Sequence, residues 1–83
     1  MHMKLKKREL RLTLYDGEEL VMRYPTSDEH DEFMKKIIAE PEKDNEITRN
    51  FYKELGMSDK VYKVLQKPDL LDIGMVLTGQ KKI

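Results

Sequence analysis

The sequence predicts an α+β fold, an N-terminal β-hairpin followed by three or four short α-helices. Three observations carry that prediction. Leu10, Leu12 and Leu14 alternate with Arg11 and Thr13, and a second apolar-rich stretch, Leu20-Val21-Met22-Arg23-Tyr24, follows Asp16-Gly17; two such runs around a turn signal read as a hairpin. From Thr26 onward the apolar residues recur at helical spacing instead. Pro25, Pro41, Gly56, Pro68 and Gly79 then divide the chain into pieces of helix length. At 83 residues a single domain is expected. Residues 4–25 form its hairpin, 26–79 its helical part and 80–83 a tail. Met1-His2-Met3 reads as a cloning remnant or an unordered start.

The hairpin register follows from the pattern. A two-residue Asp16-Gly17 turn would pair Leu10 with Arg23 and Leu14 with Glu19, mixing the faces. A three-residue loop, Tyr15-Asp16-Gly17 with Gly17 left-handed, sets Leu12 opposite Leu20 and Leu10 opposite Met22. Arg11, Thr13, Val21 and Arg23 then face away. Two strands alone are marginal in water, so the Leu/Met face must lie on helices, further strands or another subunit. Lys4, Lys6, Lys7 and Arg8 ahead of the first strand discourage uncontrolled edge pairing.

After Pro25, Thr26 has the chemistry of an N-cap and Glu29 completes a capping box. His30, Phe33, Met34, Ile37 and Ile38 fall on one face of the helix that follows, with acids in its first turns and Lys35 and Lys36 later, as the helix dipole favours. Pro41 stops it. The polar run Glu42 to Glu46 is either a linker or the opening of a second helix, in which Ile47, Phe51 and Leu55 make an i, i+4, i+8 stripe and Gly56 is the stop. Ser58 caps a third helix with Val61, Tyr62 and Leu65 inward and Met57 placed to staple against Tyr62; Pro68 is expected to end it. From Asp69 to Thr78 six of ten residues are apolar on a wide arc, which marks a central buried helix or an interface helix. Gly79 caps it.

Composition narrows the function. Sixteen Lys and Arg balance sixteen Asp and Glu, which argues against a nucleic acid as the main partner. The charge is nevertheless segregated, +4 over residues 1–13, −7 over 14–46 and +3 over 47–83, a polarity that can align identical subunits or orient a partner. The absence of cysteine excludes disulfides, a thiol nucleophile and thiolate metal sites. No apolar run approaches the roughly 20 residues that cross a bilayer and no signal-peptide pattern is visible, so a soluble, cytoplasmic protein is expected. With 39% apolar residues and no Trp, the core should be thin and open to completion by another chain, as in a homo-oligomer.

No catalytic, cofactor-binding or metal residues are assigned. His30 stands alone beside Phe33 and Met34, and Ser27 and Ser58 sit at helix starts, so no Ser-His-Asp system is expected. Asp28 and Glu32 share a helix face but lack carbonyl or histidine partners for a cation. Neither GxGxxG nor GxxxxGK is present. The chain reads as a non-enzyme that binds protein. Leu70, Ile73, Met75 and Leu77 of the last helix, with Tyr62, are the candidate partner-binding residues. The six methionines suit an adaptable surface or act as core filler.

Residues 51–65, Phe51-Tyr52-Lys53-Glu54-Leu55-Gly56-Met57 through Leu65, resemble a DNA-binding helix-turn-helix, which implies base or phosphate contacts from Lys60, Lys63 and Lys67. Tyr52 stands where that family places a small residue, and the Val61/Tyr62 pair is displaced by one position. The layout as a whole resembles the tail assembly chaperones of long-tailed bacteriophages: a basic start, a Leu-x-Leu-x-Asp-Gly-Glu hairpin, Tyr24-Pro25-Thr26 leading into short helices, and a Gly79-Gln80-Lys81-Lys82 end. That resemblance implies a small, often oligomeric α+β protein that binds the tape measure protein or tail tube subunits in the host cytoplasm, sometimes with a longer frameshifted form. A structural subunit of a phage or cellular assembly is a third reading.

Overall fold

The computed structural model describes residues 2–82. Strands β1 (Glu9–Thr13) and β2 (Glu19–Arg23) pair antiparallel, with Leu10 opposite Met22 and Leu12 opposite Leu20. This is the register of the three-residue loop. Gly17 takes φ 89°, its N–H donates to the Leu14 carbonyl at 2.9 Å, and the Leu14 N–H donates to Glu18 O at 2.7 Å. The Asp16 carboxylate accepts the Glu18 N–H at 3.0 Å, the local bond that makes aspartate a turn residue.

Four α-helices follow, α1 (Ser27–Ala39), α2 (Asp44–Glu54), α3 (Asp59–Val64) and α4 (Lys67–Leu77), with a 3-10 turn at Pro41–Lys43. The capping box at α1 is complete: Glu29 N–H donates to Thr26 Oγ1 at 3.2 Å, and Thr26 N–H donates to Glu29 Oε1 at 2.9 Å. Ser58 Oγ accepts the Val61 N–H at the start of α3. The run Glu42 to Glu46 is helical, with Glu42 and Lys43 in the 3-10 turn and Asp44 to Glu46 opening α2. One boundary differs from expectation. Pro68 does not end α3, which stops at Val64; it sits in the first turn of α4, where the N–H it lacks would have had no helical partner.

The core is one cluster. The hairpin supplies Leu10 and Met22, α2 supplies Phe51 and Tyr52, the turn after it Leu55 and Met57, and α4 Leu70, Ile73 and Leu77. Leu12, Leu20, Phe33, Val61, Tyr62 and Leu65 pack around them half-buried. The thin core expected from composition is thus closed by nine side chains of one chain. Helix α1 is shallowly embedded. It buries no residue fully, and its strongest packing contact is Phe33 stacked on Phe51, ring centroids 4.2 Å apart. Met34 and Ile38, expected on its inner face, are exposed, because the inward line on this helix runs through His30, Phe33 and Ile37.

Gly56 does more than end α2. At φ 122° it lies so close to β2 that a Cβ there would come 2.9 Å from the Val21 carbonyl oxygen. Beside it, the Leu55 carbonyl accepts the Arg23 N–H at 2.9 Å. The α2–α3 turn is therefore hooked onto the outer edge of β2, which satisfies a strand donor that would otherwise face solvent.

Candidate protein-binding surfaces

Helix α4 has two different sides. Leu70, Ile73 and Leu77 are in the core, so three of the residues expected to meet a partner close the chain's own interior instead. On the opposite side Pro68, Leu71 and Met75 follow at i, i+3 and i+7, all exposed, Leu71 by 58% and Met75 by 41%. That spacing places them on one face of a helix. Met75 is the only one of the four α4 candidates on this face. Leu71 lay outside the candidate set, although its i, i+4 relation to Met75 was the signal that could have found it. Val64, at the end of α3, is exposed as well.

Tyr62 is only half-buried, yet its ring is engaged by two neighbours. The Arg49 guanidinium lies 5.1 Å from its ring centroid, a cation–π arrangement, and Tyr52 meets it edge-on at 6.3 Å. Arg49 in turn pairs with Asp59 at 2.9 Å. Tyr62 thus belongs to a layer joining α2 and α3.

The lysines of the helix-turn-helix resemblance do not form one array. Lys60 and Lys63 are exposed on α3, a helix of six residues. Lys67 belongs to α4, not to the same helix, and its Nζ donates to Asn45 Oδ1 at 3.1 Å. The first residue of α3 is Asp59, whose carboxyl is held below its ordinary range by Arg49 and Lys53, so the end of the helix that would approach a phosphate carries an anion.

A second surface lies between α1 and α2. Phe33, Ile47 and Phe51 floor a cavity of about 310 Å³ whose walls carry Asp28, Glu29, Glu32 and Glu54, with Asn50 and Lys36 completing the lining. Glu29 is already committed. Arg23 donates to its two oxygens at 2.7 and 2.6 Å, and that pairing, with the Thr26 cap, pulls its carboxyl down to about 2. Asp28 and Glu54 take part in no ion pair among the described residues. The cleft is an apolar floor between acidic walls, and nothing in the spacing of either helix signals it, because it depends on how α1 crosses α2.

At the turn end, the Tyr15 hydroxyl donates to the Asp69 carboxylate and accepts the Gln66 N–H at 3.0 Å. This ties the hairpin loop to the start of α4, where Gln66 offers no side-chain cap.

Among the described residues no helix is long and apolar enough to cross a membrane, and no three His, Asp or Glu side chains gather where a metal ion could be held. No protein-family model matches the chain, and neither a curated protein nor a solved structure is significantly similar to it.

Proposed function

We propose that this chain is a non-enzymatic protein-binding module that offers the outer face of α4 to a helix of a protein partner. The observation that carries the reading is the pairing of a closed core with an aligned apolar face: Leu71 and Met75 stay in solvent although Leu70, Ile73 and Leu77 on the same helix are buried. Folding does not require them, and an exposed apolar line on a small domain is the usual mark of a contact surface. The resemblance to tail assembly chaperones supplies the specific form of the proposal: the client is the tape measure protein, a long helical chain, held in the host cytoplasm until the tail is built.

The test is co-expression with the product of a long, helix-rich reading frame immediately downstream of this gene. The two should co-purify, and Leu71→Glu with Met75→Glu should abolish co-purification while leaving the far-UV spectrum unchanged. Tight DNA binding that falls steeply with salt would overturn the reading in favour of a regulator. Retention of the chain in mature particles would overturn it in favour of a structural subunit.

A further inference from the structure

We propose that the acidic cleft between α1 and α2 receives the basic N-terminal arm of a second copy of this chain. Two surfaces of opposite charge point to this, the arm with its four cations in no ion pair and the cleft with Asp28 and Glu54 in none, although Glu32 pairs with Lys35 at 3.8 Å and Glu29 with Arg23, all among the described residues. The arm lies in neither helix nor strand and carries Lys4, Lys6, Lys7 and Arg8, none of which takes part in an ion pair among the described residues. In its middle Leu5 is 81% exposed. The cleft supplies what this segment lacks: an aromatic and aliphatic floor of Phe33, Ile47 and Phe51 between Asp28 and Glu32 on one wall and Glu54 on the other.

The fit is stereochemical as well as electrostatic. At about 310 Å³ the cavity is at the small end of sites that enclose a ligand, and a single aliphatic side chain is a suitable guest. Lys4 and Lys6, flanking Leu5, have flexible stems that reach sideways to carboxylates on either wall. The arm does not serve its own cleft. Its root is fixed where the Tyr24 N–H donates to the Arg8 carbonyl at 3.4 Å, and residues 5–8 border a different hollow, along Arg23–Thr26 beyond the Arg23–Glu29 pair. There Leu5 remains uncovered. Donor and acceptor surfaces lie at different places on the molecule, so a one-way contact builds rings or open chains, while reciprocal exchange of arms between two copies closes a two-fold dimer. The inference is independent of the partner face on α4.

Sedimentation velocity of the full chain over a range of concentrations tests it. Concentration-dependent association is expected at low ionic strength, weakened at ~0.5 M salt where rim charges are screened. Reversing the arm (Lys4→Glu with Lys6→Glu) or the cleft (Glu32→Lys with Glu54→Lys) should each weaken association by about tenfold or more. All four positions are exposed, and unchanged circular dichroism and thermal unfolding verify folding. Mixing the two variants restores opposite charge at both possible contacts and should recover association. A chain that remains monomeric at low salt, self-association unaffected by either reversal, or a mixture that fails to recover it would each overturn the proposal. A monomer whose own arm docks on its own cleft, seen as concentration-independent shifts in the nuclear magnetic resonance signals of Phe33 and Phe51, would overturn it as well.

Discussion

The hydroxyl of Tyr52 occupies the space that a side chain on Gly74 would need. It donates to the Leu70 carbonyl at 2.6 Å, and a Cβ built on Gly74 would collide with the same oxygen. Burial, with Tyr62 nearby, pushes the phenol up to about 12, so it remains neutral and a donor throughout the physiological range. A glycine in mid-helix normally weakens the helix by about 1 kcal/mol relative to alanine. Here it lets α2 and α4 approach closely enough for a buried hydroxyl to find its partner.

Gly74→Ala should therefore destabilise the chain by roughly 1–3 kcal/mol despite alanine's better helix propensity, because the ring cannot shift without breaking a buried hydrogen bond. In a Tyr52→Phe background the obstructing oxygen is gone, and the same substitution should become neutral or stabilising. A double-mutant cycle by urea unfolding measures this coupling; additive effects would show that the two residues do not meet.

Gly56→Ala should cost about 2 kcal/mol or more. It combines a left-handed backbone with a close approach to Val21 O, two penalties that cannot both be relieved unless the turn leaves the strand. Loss of amide-exchange protection at Arg23, whose N–H is held by Leu55, should accompany the loss of stability.

Glu29 makes stability depend on pH. Its folded carboxyl titrates near 2 against an ordinary value of 4.5, so the ionised form is favoured by folding; the stabilisation is complete above about pH 5 and is lost as pH falls from about 4.5 toward 2. Glu29→Gln removes this contribution with the ionic half of the Arg23 pair, about 1 kcal/mol at neutral pH, while its amide oxygen still accepts the Thr26 N–H and keeps the capping box. The gap between wild type and variant should close on acidification to pH ~2, followed by unfolding midpoints at each pH.

Phe33→Ala should free α1 without unfolding the rest. This helix buries no residue fully and leans on the Phe33–Phe51 stack, so amide exchange should accelerate along α1 while α2 and α4 keep their protection. Global unfolding by this substitution would show that α1 is integral to the core.

Legibility in the sequence followed the range of the interactions. The hairpin register was readable because Asp16-Gly17 and strict alternation leave only one loop length that keeps the leucines together, and the Thr26 box because its partners are three residues apart. The boundary between α3 and α4 was not, since Pro68 can equally close one helix or begin the next. Met34 and Ile38 lie on a face with correct spacing but have no neighbour to cover them, which periodicity does not report. The same limit governed α4: its wide apolar arc fits either a buried helix or an interface helix, and only the folded chain distinguishes core Leu70, Ile73 and Leu77 from exposed Leu71 and Met75. The Tyr52–Gly74 contact and the acidic cleft arise from helix crossings and have no local signature.

The division of α4 into an inner and an outer side is tested most directly by comparing the thermal unfolding of Leu77→Asp with that of the Leu71→Glu, Met75→Glu variant, each assayed for co-purification with the helical partner. Leu77→Asp should fail to fold, since it places a charge in the core. The double variant should melt within about 2 °C of wild type and no longer hold the partner. A double variant that unfolds, or one that still binds as tightly as wild type, would contradict the account.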